Sequence, residues 1–301
     1  MMHSVAIVIP AYKANKLEET LASIAGQSKR DFTVYIGKDR SPHDVKSVVD
    51  SFAGKMDIRY TEFPDNLGGK DLVAQWERCI GLSVQEPWIL LFSDDDRMPA
   101  DAVERILQAT QTHPEASFFR FPLNRIDAEG NTEFTCVPLP EGITPARELL
   151  ADYLGGKRPS AAIEYVFSRQ LFLELGMVHF PLAWCSDTAT WYAYAKAAGG
   201  VLNLPGKPME WRNAAGSNIS NTSGLQAQKM QALIEFVRWL DRQYEGPKSW
   251  DFARKLRKFL ETNLNVSFEM EYSQPDLKAL CTAFSRFSIL QSLKLYRHYR
   301  K

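Results

Sequence analysis

Trp88-Ile89-Leu90-Leu91-Phe92-Ser93-Asp94-Asp95-Asp96 is the stretch that decides how the chain folds. Five bulky apolar residues in succession read as a strand buried on both faces. Three carboxylates follow its end, with only Ser93 between. Like charges this close raise one another's pKa, so the triplet needs a partner. A hard divalent cation, Mg²⁺ or Mn²⁺, is the natural one because it prefers oxygen ligands. The competing reading is a helix N-terminus, where acids complement the helix dipole. Pro99 and the pattern after it do open a helix, and both readings stand at this point.

Working outward, apolar runs and helical stripes alternate. Val5 to Ile9 is a buried strand, and Leu17, Leu21 and Ile24 recur at helical spacing. Phe32 to Ile36 is a second strand. Asp44 to Phe52 is a helix with Val45, Val48, Val49 and Phe52 on one face. Ile58 to Phe63 is an edge-like third strand. Val73, Trp76, Cys79, Ile80 and Ser83 line a helix before the strand at Trp88, and Ala102 to Thr110 is the helix after it. Such alternation calls for an α/β fold with a mostly parallel sheet flanked by helices.

Ligands bind such sheets beyond the carboxyl ends of the strands. The residues there are Pro10-Ala11-Tyr12, Lys38-Asp39 and Asp94-Asp95-Asp96. No GxGxxG follows the first strand and no GxxxxGK[ST] is present, so neither a dinucleotide fold nor a P-loop is supported. Asn66-Leu67-Gly68-Gly69-Lys70 is Gly-rich, and a turn before a helix explains it equally well.

In the middle, Phe118 to Phe121 and Phe134 to Val137 read as strands that pair across a turn at Asp127–Asn131. Leu149 to Leu154 and Ser168 to Leu175 read as helices. Trp184-Cys185-Ser186-Asp187 precedes an aromatic helix through Trp191, Tyr192 and Tyr194, and Val201 to Leu204 is a short strand. Trp211-Arg212 leads into Asn213 to Asn221, a polar stretch of small residues expected to be a mobile loop. From about residue 222 the pattern is purely helical, with stripes at Met230–Leu240, Phe252–Leu260, Leu277–Phe284 and Ile289–Leu293.

The 301 residues are 45% hydrophobic and 24% charged, the balance of a globular protein. Net charge is zero, which gives no support to nucleic-acid binding. The charge is unevenly spread: residues 222–301 hold 14 Lys+Arg against 8 Asp+Glu. Cys79, Cys136, Cys185 and Cys281 have no metal-ligand spacing and read as reduced core residues. Neither a signal peptide nor an apolar run of about 18 residues is visible, so a cytoplasmic location is expected.

Over roughly residues 3–221 the pattern resembles the inverting bacterial GT-A glycosyltransferases of family 2. The features that carry it are Val5 to Tyr12 (VAIVIPAY) with Gln27 after the next helix, Ser93 to Asp96 (SDDD), Ser186-Asp187, Trp211-Arg212 and Gly216 to Ser220. The order and spacing are specific where no single motif is. The resemblance implies a GT-A domain over 1–221 and a helical C-terminal region over 222–301. It implies sugar transfer from a nucleotide-diphosphate donor to a glycan or lipid-linked acceptor hydroxyl, with Mn²⁺ or Mg²⁺, in surface polysaccharide or glycan synthesis. Asp187 would be the catalytic base, and Asp96 the metal ligand with Asp94 beside it. Pro10, Ala11, Tyr12, Asp39, Lys70, Asp94, Asp95 and Arg212 would contact the nucleotide sugar, Tyr12 facing the base and Arg212 the diphosphate.

The chain departs from the family where Gly37-Lys38-Asp39-Arg40-Ser41 has one acid instead of two, where Ser186 replaces an acid, and where Asn213-Ala214 replaces a histidine. From the residues alone, Asp187 is also readable as a helix cap, Asp39 as a turn residue and Arg212 as a surface ion-pair partner. Trp184, Trp191 and Trp211 divide between core and sugar platform. A non-catalytic nucleotide-sugar binder and a carboxylate-pair glycosidase remain open. The loop at Asn213–Asn221 is expected to order over bound nucleotide. The basic C-terminal helix offers a peripheral membrane contact, against the alternative that its apolar stripe packs on the core.

Overall fold

The computed structural model describes residues 3–213, 224–267, 269 and 271–300. The first half alternates as its periodicity requires: β1 (Val5–Ala11), α1 (Leu17–Ala25), β2 (Phe32–Asp39), α2 (Val45–Asp50), β3 (Ile58–Phe63), α3 (Leu72–Ile80), β4 (Trp88–Leu91) and α4 (Ala102–Thr112). Val5 to Ile9 of β1 are wholly buried because both sheet faces are covered. β1 pairs in parallel with β2 and with β4, and β2 with β3 at the sheet edge.

The second half breaks the pattern. It comprises β5 (Phe118–Arg120), β6 (Leu123–Ile126), β7 (Thr132–Thr135), β8 (Ile143–Thr144), α5 (Ala146–Leu154), β9 (Tyr165–Ser168), α6 (Arg169–Leu175), α7 (Ser186–Ala197), β10 (Val201–Asn203) and β11 (Met209–Arg212). The large sheet runs β3-β2-β1-β4-β9-β5-β10-β8. β9 lies antiparallel between β4 and β5, with Leu90 opposite Val166. Glu164 and Tyr165, where β9 begins, therefore stand at the carboxyl end of β4. This is a GT-A-like architecture: a mostly parallel sheet flanked by helices, with further helices at the C-terminus.

The expected pairing of Phe118–Phe121 with Phe134–Val137 is not found. Phe118–Arg120 joins the large sheet, whereas Thr132–Thr135 pairs with Leu123–Ile126 across the Asp127–Asn131 turn and β11 completes a small second sheet. The four residues of β7 are all exposed, so burial gave no periodic signal there. Tyr165–Ser168 has no turn residue to separate it from α6, which it enters directly with the Ser168 hydroxyl as N-cap.

The chain closes with α8 (Gln226–Gln243), α9 (Trp250–Thr262), α10 (Gln274–Ser285) and α11 (Ile289–Tyr299). Their apolar faces form one core with Leu150 and Leu154 of α5 and Ala189 and Tyr192 of α7. The division drawn at residue 221 thus separates stretches of chain that share a core. Among the described residues no helix is long and apolar enough to cross a membrane.

Candidate active site

The apolar run of β4 drives the chain into the core and delivers Asp94, Asp95 and Asp96 at its carboxyl end, each at least nine-tenths buried. Asp94 Oδ2 accepts the backbone N–H groups of Tyr12 and Lys13, both at 2.7 Å, which ties the end of β4 to the end of β1. Burial, reinforced by the Asp95 charge, pushes its carboxyl up to about 6. The Lys13 ammonium lies 3.4 Å from Asp95 Oδ2.

Asp96 Oδ1 accepts the Arg212 backbone N–H at 2.6 Å. Its Oδ2 is buried and has no hydrogen-bond partner. Desolvation and then the Asp95 charge raise Asp96 well above the carboxylate range, against the Arg212 amide and the Ser93 hydroxyl. The Thr20 hydroxyl bonds the Asp96 carbonyl, and Gln27 holds Pro99 and Val103 at the start of α4.

Asp187 lies in the first turn of α7, while Cys185 occupies the N-cap position. It is therefore not the cap. Its Oδ1 accepts the Thr188 N–H at 2.7 Å. Burial, with the Glu164 charge as a smaller contribution, lifts its carboxyl to about 6. Glu164 stands at the β4 end of the sheet, ion-paired to Arg120 at 2.8 Å, so Asp187 belongs to the same end as the triplet.

The turn before Asp187 is strained: Leu182, Ala183 and Cys185 have φ of 59°, 56° and 65°. A non-glycine residue held there costs on the order of 1–3 kcal/mol, and such residues cluster at functional sites. The Ser186 hydroxyl accepts the Phe180 N–H, and Trp184 Nε1–H donates to Asn263, which brace the turn from both sides.

The glycosyl transferase family 2 profile matches residues 6–135, a stretch that spans β1 to β7 and includes the acidic triplet. Over that stretch the chain is similar to glycosyl transferase family 2. No curated protein matches the sequence. Among solved structures, S. aureus TarS 1–349 in complex with UDP-GlcNAc is similar with a TM-score of 0.71 at 14% identity, covering 98% of this chain and 90% of that one. The Pyrobaculum calidifontis mannosyltransferase PcManGT, with GDP-Man and Mn²⁺, gives 0.54 at 14% identity over 99% of this chain and 87% of that one. GalNAc-T7 with UDP, GalNAc and Mn²⁺ gives 0.57 at 12% identity over 99% and 58%.

Several residues assigned to donor contact in the family 2 pattern serve the protein's own scaffold here. Arg212 is the clearest case. It is 1% exposed, and its guanidinium bonds the carbonyls of Asp95, Asp127 and Ala128 and the Glu19 carboxylate at 2.7–2.9 Å. Four of its five N–H groups are thereby engaged within the protein. Asp39 accepts the Leu67 and Gly68 amides and Arg78, each at 2.8 Å. It shapes the Gly-rich turn, and a Cβ on Gly68 would sit 2.6 Å from Asp39 Oδ2.

Ala11 is wholly buried and offers only backbone, and Pro10 is half-buried. Tyr12 is 39% exposed and meets His43 edge-on. Lys70 is exposed before α3. Trp191 is core, stacked on Tyr165 at 4.9 Å; Trp211 packs partly on the main core and Trp184 under Lys229. Of the expected loop, Asn213 bonds Ile126, and 214–221 lie outside the described residues.

Among the described residues no group of three or more His, Cys, Asp or Glu side chains is arranged to hold a metal. The donor that is present fits a different mode. Mg²⁺-type cations are held by one or two carboxylates, with substrate phosphates and water completing the shell. Asp96 Oδ2, buried and without a partner, is a carboxylate oxygen that a cation of this kind would satisfy.

Proposed function

We propose that the protein is an inverting glycosyltransferase that moves a sugar from a nucleotide-diphosphate donor to an acceptor hydroxyl. The observation that carries the reading is the unpartnered, buried Asp96 Oδ2 at the carboxyl end of β4, within the family 2 stretch. Asp96 would hold Mn²⁺ or Mg²⁺, with Asp94 and Asp95 shaping the site. Bound there, the cation supplies Lewis-acid stabilisation of charge on the leaving diphosphate.

Asp187 takes the proton of the acceptor hydroxyl as the oxygen attacks the anomeric carbon. The bond from that carbon to the diphosphate oxygen breaks on the opposite face, and the nucleotide diphosphate leaves. A carboxyl raised to about 6 is ionised at neutral pH and more basic than an ordinary aspartate, which suits this task. Tyr12, exposed past β1, flanks the nucleotide base, and Lys70 reaches the donor from the turn that Asp39 shapes. The reading includes a glycan or lipid-linked acceptor, surface polysaccharide synthesis and a cytoplasmic location.

A second reading, a nucleotide-sugar binder without turnover, is favoured by one observation: Asp39 and Arg212 are held by the chain's own groups. A panel of nucleotide sugars tested with and without Mn²⁺ separates the two. Slow metal-dependent release of nucleotide diphosphate, lost in Asp96→Ala, supports the transferase. Saturable binding with no release at any donor supports the binder. Full turnover in excess chelator would sink the metal assignment.

A further inference from the structure

At about 3.6 residues per turn, Gln291, Ser292, Leu295 and Tyr299 of α11 fall on one arc, and all four are buried against the domain. The opposite arc is the surprise. The stripe expected to pack on the core turns outward: Ile289 is 67% exposed, Leu290 62% and Leu293 44%. Trp250, at the start of α9, is 52% exposed and lies beneath the Lys294 ammonium at 5.4 Å, which joins it to this face. Four large apolar side chains thus form one exposed face, of the kind that marks an interaction site.

The charged groups that α11 itself carries have one sign, while Asp251 beside Trp250 is paired with Arg254 and Lys255 and Asp241 meets Arg286 at 3.4 Å. Arg286, Lys294, Arg297 and Arg300 are exposed, and residues 286–301 contain no Asp or Glu. Lys294 and Arg297 share the outward arc with the three aliphatic residues. A protein partner or a second copy would have to match apolar contact and one-sided positive charge together. An anionic bilayer meets both at once, taking the Trp and aliphatic side chains below the headgroups and the ammonium and guanidinium groups among the phosphates. We propose that the face formed by Trp250, Ile289, Leu290 and Leu293 seats the protein on an anionic lipid surface as a peripheral contact. It rests on nothing in the catalytic reading.

Flotation of the full chain with vesicles of phosphatidylglycerol and phosphatidylcholine, and with phosphatidylcholine alone, tests it. Binding is expected to the mixed vesicles at low salt, and to weaken at high salt because exposed charges are screened. Leu290→Ser with Leu293→Ser, and separately Lys294→Glu with Arg297→Glu, should each weaken it tenfold or more. These positions are outward-facing, so an unchanged circular dichroism spectrum and melting temperature confirm the fold. No flotation of the wild type, equal flotation on neutral vesicles, or undiminished binding by both variants overturns the proposal. So does a concentration-dependent dimer in sedimentation that the Ser variant abolishes, which would give the face to a second copy.

Discussion

Asp187 and Arg212 carry opposite kinds of importance, and substitution should tell them apart. Asp187→Asn keeps shape and removes basicity, so kcat should fall on the order of 10²–10⁴-fold with donor affinity little changed. A near wild-type rate would reduce Asp187 to a residue of the helix turn. In the wild type the base works only when ionised, so kcat should fall as pH drops through about 6, the value to which burial lifts its carboxyl. A profile flat from pH 8 to 5 would count against that role. Arg212→Met leaves the buried carbonyl of Asp95 and the half-buried carbonyls of Asp127 and Ala128 without their donor. An interior acceptor left without its hydrogen bond costs about 1–3 kcal/mol. Denaturant unfolding should show a loss of that size, whereas a diphosphate-binding arginine would alter donor affinity and leave stability alone.

The turn from Pro181 to Cys185 is an element whose strain has a use. Left-handed backbone at a non-glycine residue costs roughly 1–2 kcal/mol, and glycine removes that cost. Leu182 is half-buried and has φ of 59°, so Leu182→Gly should leave the melting temperature level or raise it. The same change frees the segment that aims Asp187, and kcat should fall by up to about 10²-fold, the cost of a misplacement of about 1 Å. A loss of stability with kcat retained would mean that the turn serves packing alone. The end of β4 offers a parallel test. Mn²⁺ should raise the melting temperature of the wild type by mass action and leave Asp96→Ala unmoved. An equal rise in both would place the ion elsewhere.

Across the whole molecule, the C-terminal helices complete a core that the sheet half cannot close alone. Leu150, Leu154, Ala189 and Tyr192 are buried against Leu233, Phe236 and Val237 of α8 and against α9. A fragment ending at residue 221 would expose this surface. It should therefore aggregate, or bind a hydrophobic dye and lose its near-ultraviolet circular dichroism while keeping far-ultraviolet signal. Cooperative unfolding of that fragment would make residues 1–221 an independent folding unit.

The sequence by itself determined the alternation of β1 to α4, the parallel block, the acids at the end of β4 and the helical nature of the last quarter. Each follows from local periodicity, because which face of a strand or helix is buried is written in spacings of two or three to four residues. Asp187 was legible as an acid opening a helix, and the triplet as a group needing a counter-charge. Only the tertiary structure decided what those groups meet. β9 enters the sheet antiparallel, far from its partners in sequence, and brings Glu164 to the site. Arg212 finds Asp95 and Asp96 more than a hundred residues away and braces the end of β4. The left-handed residues before Asp187 and the outward turn of Ile289, Leu290 and Leu293 depend likewise on what packs against them. A spacing tells a side chain which way to face; the partner it meets there is set by long-range pairing, which no local pattern encodes.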